Sequence, residues 1–193
     1  MKITEYYDNK ILDYLKKSKS TTYINFSSGA TYGRNFRSSV TESTLAIFDI
    51  NKPNAGHFYS VSKLHAEAKH RLLNNLNIID LRIFSFFSRF IDLDAKFLMS
   101  EIASAIKFKR KFITDEINIV RDYIHPQDLC QLIIKFSEKN RINESFDVSS
   151  RQPISKFHLL KSLSKNYGLR YLIQKNKLHP QESNLIIIQD PEN

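Results

Sequence analysis

The stretch from Tyr23 to Lys63 constrains this chain more than any other. It opens Y-I-N-F-S-S-G-A-T-Y-G, passes through a polar loop, and ends H-F-Y-S-V-S-K. Tyr23 to Phe26 is β-branched and aromatic, which predicts a short strand closed by Ser27-Ser28-Gly29. The second part predicts a helix on which Tyr59 and Lys63, four residues apart, share one face. A buried strand ending in hydroxyls and followed by a helix belongs to an α/β sheet. Such sheets bind ligands at the carboxyl ends of their strands.

These residue types suit one kind of chemistry. A phenol has an ordinary pKa near 10 and is a poor base at neutral pH. A neighbouring ammonium favours the phenolate, so Lys63 can tune Tyr59 to exchange a proton with a hydroxyl or carbonyl oxygen. Ser28, a neutral donor and acceptor, can hold that oxygen as charge develops on it. Taken singly, Y-x-x-x-K is a common surface pair in lysine-rich helices and S-S-G a common turn. In this order and at this separation they are far more specific.

Along the rest of the chain the pattern alternates between helix and strand. Helical spacing is read over residues 3–17 (Ile3, Tyr7, Ile11, Leu12, Leu15), with Lys16 and Lys17 suited to a helix C-terminus. Residues 33–56 read as a surface loop with one short turn near Leu45 to Phe48. A helix is expected from about Tyr59 to Leu76, then a buried strand over Ile78 to Phe87. Helix follows over Phe97 to Phe108, ending in the basic run Lys107 to Lys111, with short extended pieces near Phe112 and at Ile117 to Val120. Pro126 opens another helix, whose stripe is Leu129, Leu132, Ile133 and Phe136. Phe146 to Val148 is a strand and Ile154 to Tyr167 a helix capped by Gly168. Leu169 to Ile173 is extended, and the tail 176–193 has no assignment. The expectation is an α/β fold with a mostly parallel sheet.

Composition bounds the reading. The chain has 193 residues, enough for one domain or a large piece of a bigger one. Its 4 glycines are few for a protein with a nucleotide-binding loop. The formal charge of +9 favours anionic ligands, although most of it reads as a lysine-rich solvated surface. The lone Cys130 fits a reducing compartment and is expected to be a small buried hydrophobe. No apolar run approaches the about 20 residues of a membrane span. Lys2, Glu5 and Asp8 leave no signal-peptide apolar region, so a soluble, cytoplasmic protein is expected, with no membrane partner. His65 and His70, five apart, do not form a metal pair on one helix face, and no metal site is expected. His57 reads as a loop histidine.

Four segments together resemble a known family: S-S-G-A-T-Y-G at Ser27 to Gly33, Y-S-V-S-K at Tyr59 to Lys63, L-R-I-F-S at Leu81 to Ser85, and R-D-Y-I-H-P-Q-D-L at Arg121 to Leu129. The chain is similar to the extended short-chain dehydrogenase/reductase family, in its NAD-dependent epimerase/dehydratase branch, which acts on nucleotide sugars. The resemblance implies a partial Rossmann-like parallel sheet, the C-terminal half of a doubly wound fold, with a small C-terminal α/β substrate-binding portion. Residues 1–90 would carry the catalytic part of the NAD(P)-binding domain. Residues 91–193 would form the substrate-binding portion, interleaved with the sheet around 112–136. It further implies Ser28 as the catalytic hydroxyl, Tyr59 as acid/base, and Lys63 as the residue that binds the nicotinamide ribose and tunes Tyr59. Tyr59 and Lys63 would thus contact NAD or NADP, and Ser28, Ser85 and Arg121 the nucleotide sugar. Arg121 would hold the diphosphate, a task its planar fork suits; an ion pair with Asp122 or Asp128 is the plainer alternative.

The chain departs from the family pattern in three places. The glycine-rich strand–turn–helix that holds the dinucleotide's phosphates is not in this sequence. The acidic pair of the 4,6-dehydratases is replaced by Gly29 and Ala30, which argues against dehydration. The usual asparagine and Gly-Pro after the L-R-x-F strand are replaced by Ser85 and by Ser88-Arg89. Two functions follow: an NAD(P)-dependent epimerase or ketoreductase present as a truncated chain, or a non-catalytic remnant or half-enzyme that binds sugar nucleotide or a partner but not NAD(P) alone. The expected partners are a nucleotide sugar and either a second copy of the chain or a chain supplying the missing half. A third reading, nucleic-acid binding through Lys107 to Lys111, is set aside because such runs are usually solvated helix ends.

Overall fold

A computed structural model describes residues 2–33, 40, 41, 43–52, 55–139 and 141–175. The tail 176–193 lies outside the described residues, as do parts of the 33–56 loop. Among the described residues from Gly33 to Lys52 no helix or strand occurs, and α2 begins at Ala55.

The first helix, α1 (Lys2–Lys17), buries Leu12 and Leu15. It leads into β1 (Thr22–Ser28), which continues as a 3-10 turn over Gly29–Tyr32. Next come α2 (Ala55–Leu72) and β2 (Asn77–Ile83). After α3 (Leu98–Lys107), β3 (Lys111–Thr114) and β4 (Val120–Arg121) the chain enters α4 (Pro126–Ser137). It ends with β5 (Asn143–Val148), β6 (Ile154–Ser155), α5 (Lys156–Tyr167) and β7 (Arg170–Ile173).

The main sheet is parallel, in the order β1-β2-β5. The alternation of side chains along a strand divides its work. Ile24, Ile79, Leu81 and Val148 pack with Ile124 and Leu129 beneath α4. Tyr23 and Ile78 point the other way and meet Leu12, Leu15 and Leu76. A sheet covered on both faces explains why β2 is buried along its first five residues, Asn77 to Leu81. A second core gathers Ile102, Ala105, Phe112, Leu160 and Leu169 between α3, α5 and the β3-β7 pair. Strand β5 belongs to the main sheet, whereas β3 and β4 pair with β7 and β6 in two small separate sheets.

Local rules account for the helix ends. Pro126 is the first residue of α4, and the His125 ring accepts the Gln127 N–H at 3.2 Å. Ser155 Oγ accepts the His158 N–H at the start of α5, and Gly168 closes that helix in the left-handed region, at φ 68. Two expectations are corrected. Cys130 is exposed, because the neighbouring Leu129 faces the sheet in its place. His57 lies in the first turn of α2 and not in a loop, because the helix starts at Ala55 and not at about Tyr59, and its ring is edge-on to Phe48.

Candidate functional site

Strand β1 ends at Ser28, whose Oγ accepts the Ala30 N–H at 3.2 Å and so starts the 3-10 turn. The turn is tight against its neighbour. A Cβ added to Gly29 would stand 2.2 Å from the Phe84 ring, closer than real atoms approach. The residue after the candidate hydroxyl is therefore glycine because no side chain has room there.

Helix α2 packs against this turn and presents three side chains in register, four residues apart. Tyr59 is more than half exposed. Lys63 is half-buried, and its Nζ donates to the Phe26 carbonyl at 2.7 Å, two residues before Ser28. The same Nζ stands 5.8 Å from the Tyr59 ring centre. Burial lowers the Lys63 ammonium below its ordinary range, against the upward pull of Asp80, Glu67 and Asp8. The third side chain, Glu67, is buried and bound on every side. It accepts from Ser27 Oγ, from Ser145 Oγ at 3.2 Å, and from Arg82 Nε and Nη2 at 2.9 and 2.7 Å.

Arg82 carries the network onward. Its Nη1 donates to the Tyr32 hydroxyl, which donates to Asp147 at 2.9 Å. Burial raises Asp147 above the usual carboxylate range despite Tyr32 and Arg82, and burial with Asp147 nearby raises Tyr32 to about 12. Tyr32 is thus a neutral hydrogen-bonding post that ties the end of the turn to β2 and β5.

A further charged cluster lies one turn lower on α2. His70 is fully buried between two carboxylates, with Nδ1 2.9 Å from Asp80 and Nε2 2.9 Å from Asp8. Burial disfavours its charge, but the hydrogen bonds to both aspartates outweigh that and raise its pKa to about 9. Arg71 and Asn25 complete Asp80, and Lys69 pairs with Asp8 at 2.6 Å.

Beyond β2, the Ser85 carbonyl accepts the Ile124 N–H at 3.1 Å, and Phe86 bridges Ile124. That joins Ser85 to the Arg121–Ile124 segment. Arg121 is half-buried in β4, paired through its backbone with Ile154. Its Nε is buried with no hydrogen-bond partner among the described residues. The oxygens of the adjacent Asp122 accept the Ser150 N–H at 2.9 and 2.7 Å.

The expected residues therefore fall into two groups. Ser28, Tyr59 and Lys63 lie around the end of β1, and Ser85 is joined at the end of β2 to Ile124, three residues after Arg121. Sequence reasoning passed over Glu67, Arg82, Tyr32 and Asp147 as a unit. The one available signal was Glu67 at the next helical turn after Tyr59 and Lys63. Among the described residues no group of three or more His, Cys, Asp or Glu could hold a metal, and no helix is long and apolar enough to cross a membrane.

The family model of the NAD dependent epimerase/dehydratase family matches residues 4–149. No curated protein matches the chain. Among solved structures it is similar to the UDP-N-acetylglucosamine 4-epimerase of Methanobrevibacter ruminantium M1 in complex with UDP-N-acetylmuramic acid (20% identity, TM-score 0.72), covering 88% of this chain and 55% of that one. It is also similar to the Thermotoga maritima UDP-glucose 4-epimerase with UDP-glucose (18%, TM-score 0.75), covering 95% and 59%. A third is the dTDP-glucose 4,6-dehydratase of Bacillus anthracis in complex with NAD (19%, TM-score 0.68), covering 86% and 54%. The chain thus spans little more than half the length of these proteins, with which it shares the fold.

Proposed function

The chain belongs to the NAD-dependent epimerase/dehydratase family, and from that premise we propose that it carries the proton-handling and sugar-binding part of a nucleotide-sugar epimerase or ketoreductase. The observation that supports this best is the setting of Lys63. A desolvated ammonium is held at the end of β1, beside Ser28, on the same helix face as an exposed Tyr59.

Each residue then has a role. Tyr59 exchanges a proton with the sugar oxygen. For an epimerase it takes the hydroxyl proton as the carbon is oxidised and returns it after the other face has been reduced; for a ketoreductase it only gives it. Ser28 donates to that oxygen while it carries partial charge. The positive charge of Lys63 favours the phenolate. An ammonium has three N–H bonds; the Phe26 carbonyl takes one, and the others suit the vicinal hydroxyls of a ribose. NAD or NADP, when bound, would supply or accept the hydride. Arg121, with a buried guanidinium nitrogen that lacks a partner among the described residues, suits a sugar diphosphate, and the Ser85 carbonyl is bonded to Ile124 further along the same segment. Gly29, pressed against Phe84, supports epimerase or reductase chemistry over dehydration, since an acidic side chain there has no space.

The glycine-rich turn that would hold the dinucleotide's phosphates is not in this sequence, which favours a second reading: a chain that binds sugar nucleotide and gains NAD(P) only with a complementary segment. Calorimetric titration with UDP-glucose and with NADH separates the two. Binding of UDP-glucose that weakens at least about tenfold in Arg121→Met, as expected on losing a charge-assisted pair, supports the sugar-binding role. NADH binding by the chain alone selects the stand-alone enzyme, and its absence selects the half-enzyme. Failure to bind any nucleotide sugar overturns the proposal.

A further inference from the structure

Lys156 stands where its own helix gives no reason for a lysine. It is the first residue of α5 and is buried. A cation in the first turn of a helix opposes the macrodipole, and a buried ammonium is costly unless its N–H groups are accepted. Here they are. Lys156 Nζ donates to Asp115 Oδ1 at 2.6 Å, to the Asp115 carbonyl at 3.1 Å and to Thr114 Oγ1 at 3.1 Å. Thr114 and Asp115 are buried as well. An apolar side chain would fill such a place at no greater cost. What the ammonium adds is a directional grip on two adjacent residues at the end of β3.

That grip lies six residues before Arg121, and the neighbouring groups extend it. The Lys156 N–H donates to the Ile119 carbonyl at 2.7 Å, and the Phe157 N–H to Asn118 Oδ1 at 3.0 Å. Val120 pairs with Ser155 and Arg121 with Ile154, in an antiparallel ladder of two residues per strand. So short a ladder does not set its own register, and a slip of one residue turns a side chain to the opposite face. Beyond Arg121 the chain is held elsewhere. Asp122 accepts the Ser150 N–H, and the Ile124 N–H donates to the Ser85 carbonyl. Arg121 thus lies between a clamp at the start of α5 and an attachment to the strand ends of the main sheet.

We infer that Lys156 is a positioning residue for Arg121. By holding Thr114 and Asp115 it pins β4 in register on β6, and so fixes the face on which Arg121 meets the diphosphate of a nucleotide sugar. The inference rests on the ligand role proposed above for Arg121, and adds to it a residue that acts without touching the ligand.

Calorimetric titration with UDP-glucose of Lys156→Met, Arg121→Met and the double variant tests this. Lys156→Met is expected to bind about tenfold more weakly than the native chain. The double variant is expected to bind no more weakly than Arg121→Met alone, because changes that act through one residue do not add. Leu160→Ala, a buried change in the same helix but outside the clamp, should lower the melting temperature and leave the affinity as it was. Should Lys156→Met fail to fold, Thr114→Val removes one acceptor at nearly constant shape. It is expected to weaken binding about threefold, again only where Arg121 is present. Additive losses in the double variant, or a loss in Leu160→Ala equal to that in Lys156→Met, overturn the inference alone. So does native affinity in the clamp variant while Arg121→Met is weakened. Native affinity in Arg121→Met, or no binding by the native chain, overturns the role of Arg121 itself, and the inference falls with it.

Discussion

The two ends of helix α2 are built on opposite principles. Its N-terminal half carries Tyr59 and Lys63, one largely exposed and the other desolvated with a single carbonyl for a partner. Its last two turns carry Glu67 and His70, both buried and saturated with hydrogen bonds from β1, β2, β5 and α1. One helix face thus runs from an under-partnered end, able to accept a ligand, to an over-determined end that fixes where the first one points. Glu67 is the hinge of the contrast. It stands one turn below Lys63 and grips Ser27, the residue next to Ser28, so the two sides of the candidate site are tied to a single carboxylate.

The sharpest way to break this arrangement is to remove that carboxylate. Glu67→Met removes the main partner of the half-buried Arg82 and frees Ser27 and Ser145. Breaking a buried charge pair from one side costs about 3–5 kcal/mol, and urea unfolding should show a loss of that order. Glu67→Gln keeps two of the contacts and should lose clearly less. A loss no greater than that of an exposed control such as Glu101→Met would show that the lower end of α2 is not the anchor.

The His70 clamp comes next in size. Its pKa is raised from 6.5 to about 9, so the folded state binds the proton more tightly than the unfolded chain does. The resulting stability, on the order of 3 kcal/mol for a shift of this size, is complete below about pH 6.5 and drains away as pH rises through about 9. Asp8 runs the other way. Burial raises its pKa, but the hydrogen bonds from His70 and Lys69 outweigh this and hold it below its ordinary value. Its contribution is present above the ordinary carboxylate pKa and lost as pH falls through the lowered one. Unfolding free energy followed from pH 6 to 10 should therefore fall in the native chain and stay nearly flat in His70→Gln. The same fall in both proteins would refute the clamp.

These two clusters also mark where the sequence stops being readable. The helices and strands of both cores follow from apolar spacing, and Gly168 from its place after Tyr167. The Ser28, Tyr59 and Lys63 set was legible because its members lie in two short local patterns. Glu67 and Arg82 are 15 residues apart on different elements, and Asp8 and His70 are 62 apart; no local period records such pairs. The same non-local physics moved an element boundary. Helix α2 ends at Leu72, not Leu76, because the Asn143 side-chain amide draws the carbonyls of His70, Leu73 and Leu76 to itself at 2.9–3.1 Å. Cys130 was misjudged for a simpler reason: on a helix that buries one stripe, Leu129 took the inward position.

Gly29 gives a smaller effect, confined to the site. Gly29→Ala forces its methyl group into the Phe84 ring, and overpacking of this kind costs about 1–3 kcal/mol. Thermal unfolding would measure it, and Gly29→Ala combined with Phe84→Leu should recover most of the loss. Failure of the second change to rescue the first would place the strain in the backbone and not in the ring contact.

The smallest change in stability is expected where the largest change in function is proposed. Tyr59→Phe removes a hydroxyl that is exposed, and Lys63→Met removes an ammonium whose lowered pKa shows that the fold disfavours its charge. A base with a depressed pKa costs stability in full below its folded pKa, and the cost fades as pH rises from there to the ordinary value of the unfolded chain. Deleting it at neutral pH gives back that cost and gives up one bond to Phe26. Both variants should therefore unfold within about 0.5 kcal/mol of the native chain, as surface substitutions do, with Lys63→Met on the favourable side. The Lys63→Met gain should shrink as pH is raised towards 10. If instead Lys63→Met is as damaging as Glu67→Met, the two ends of α2 are one structural unit, and the ammonium is there to hold β1 and not to serve a ligand.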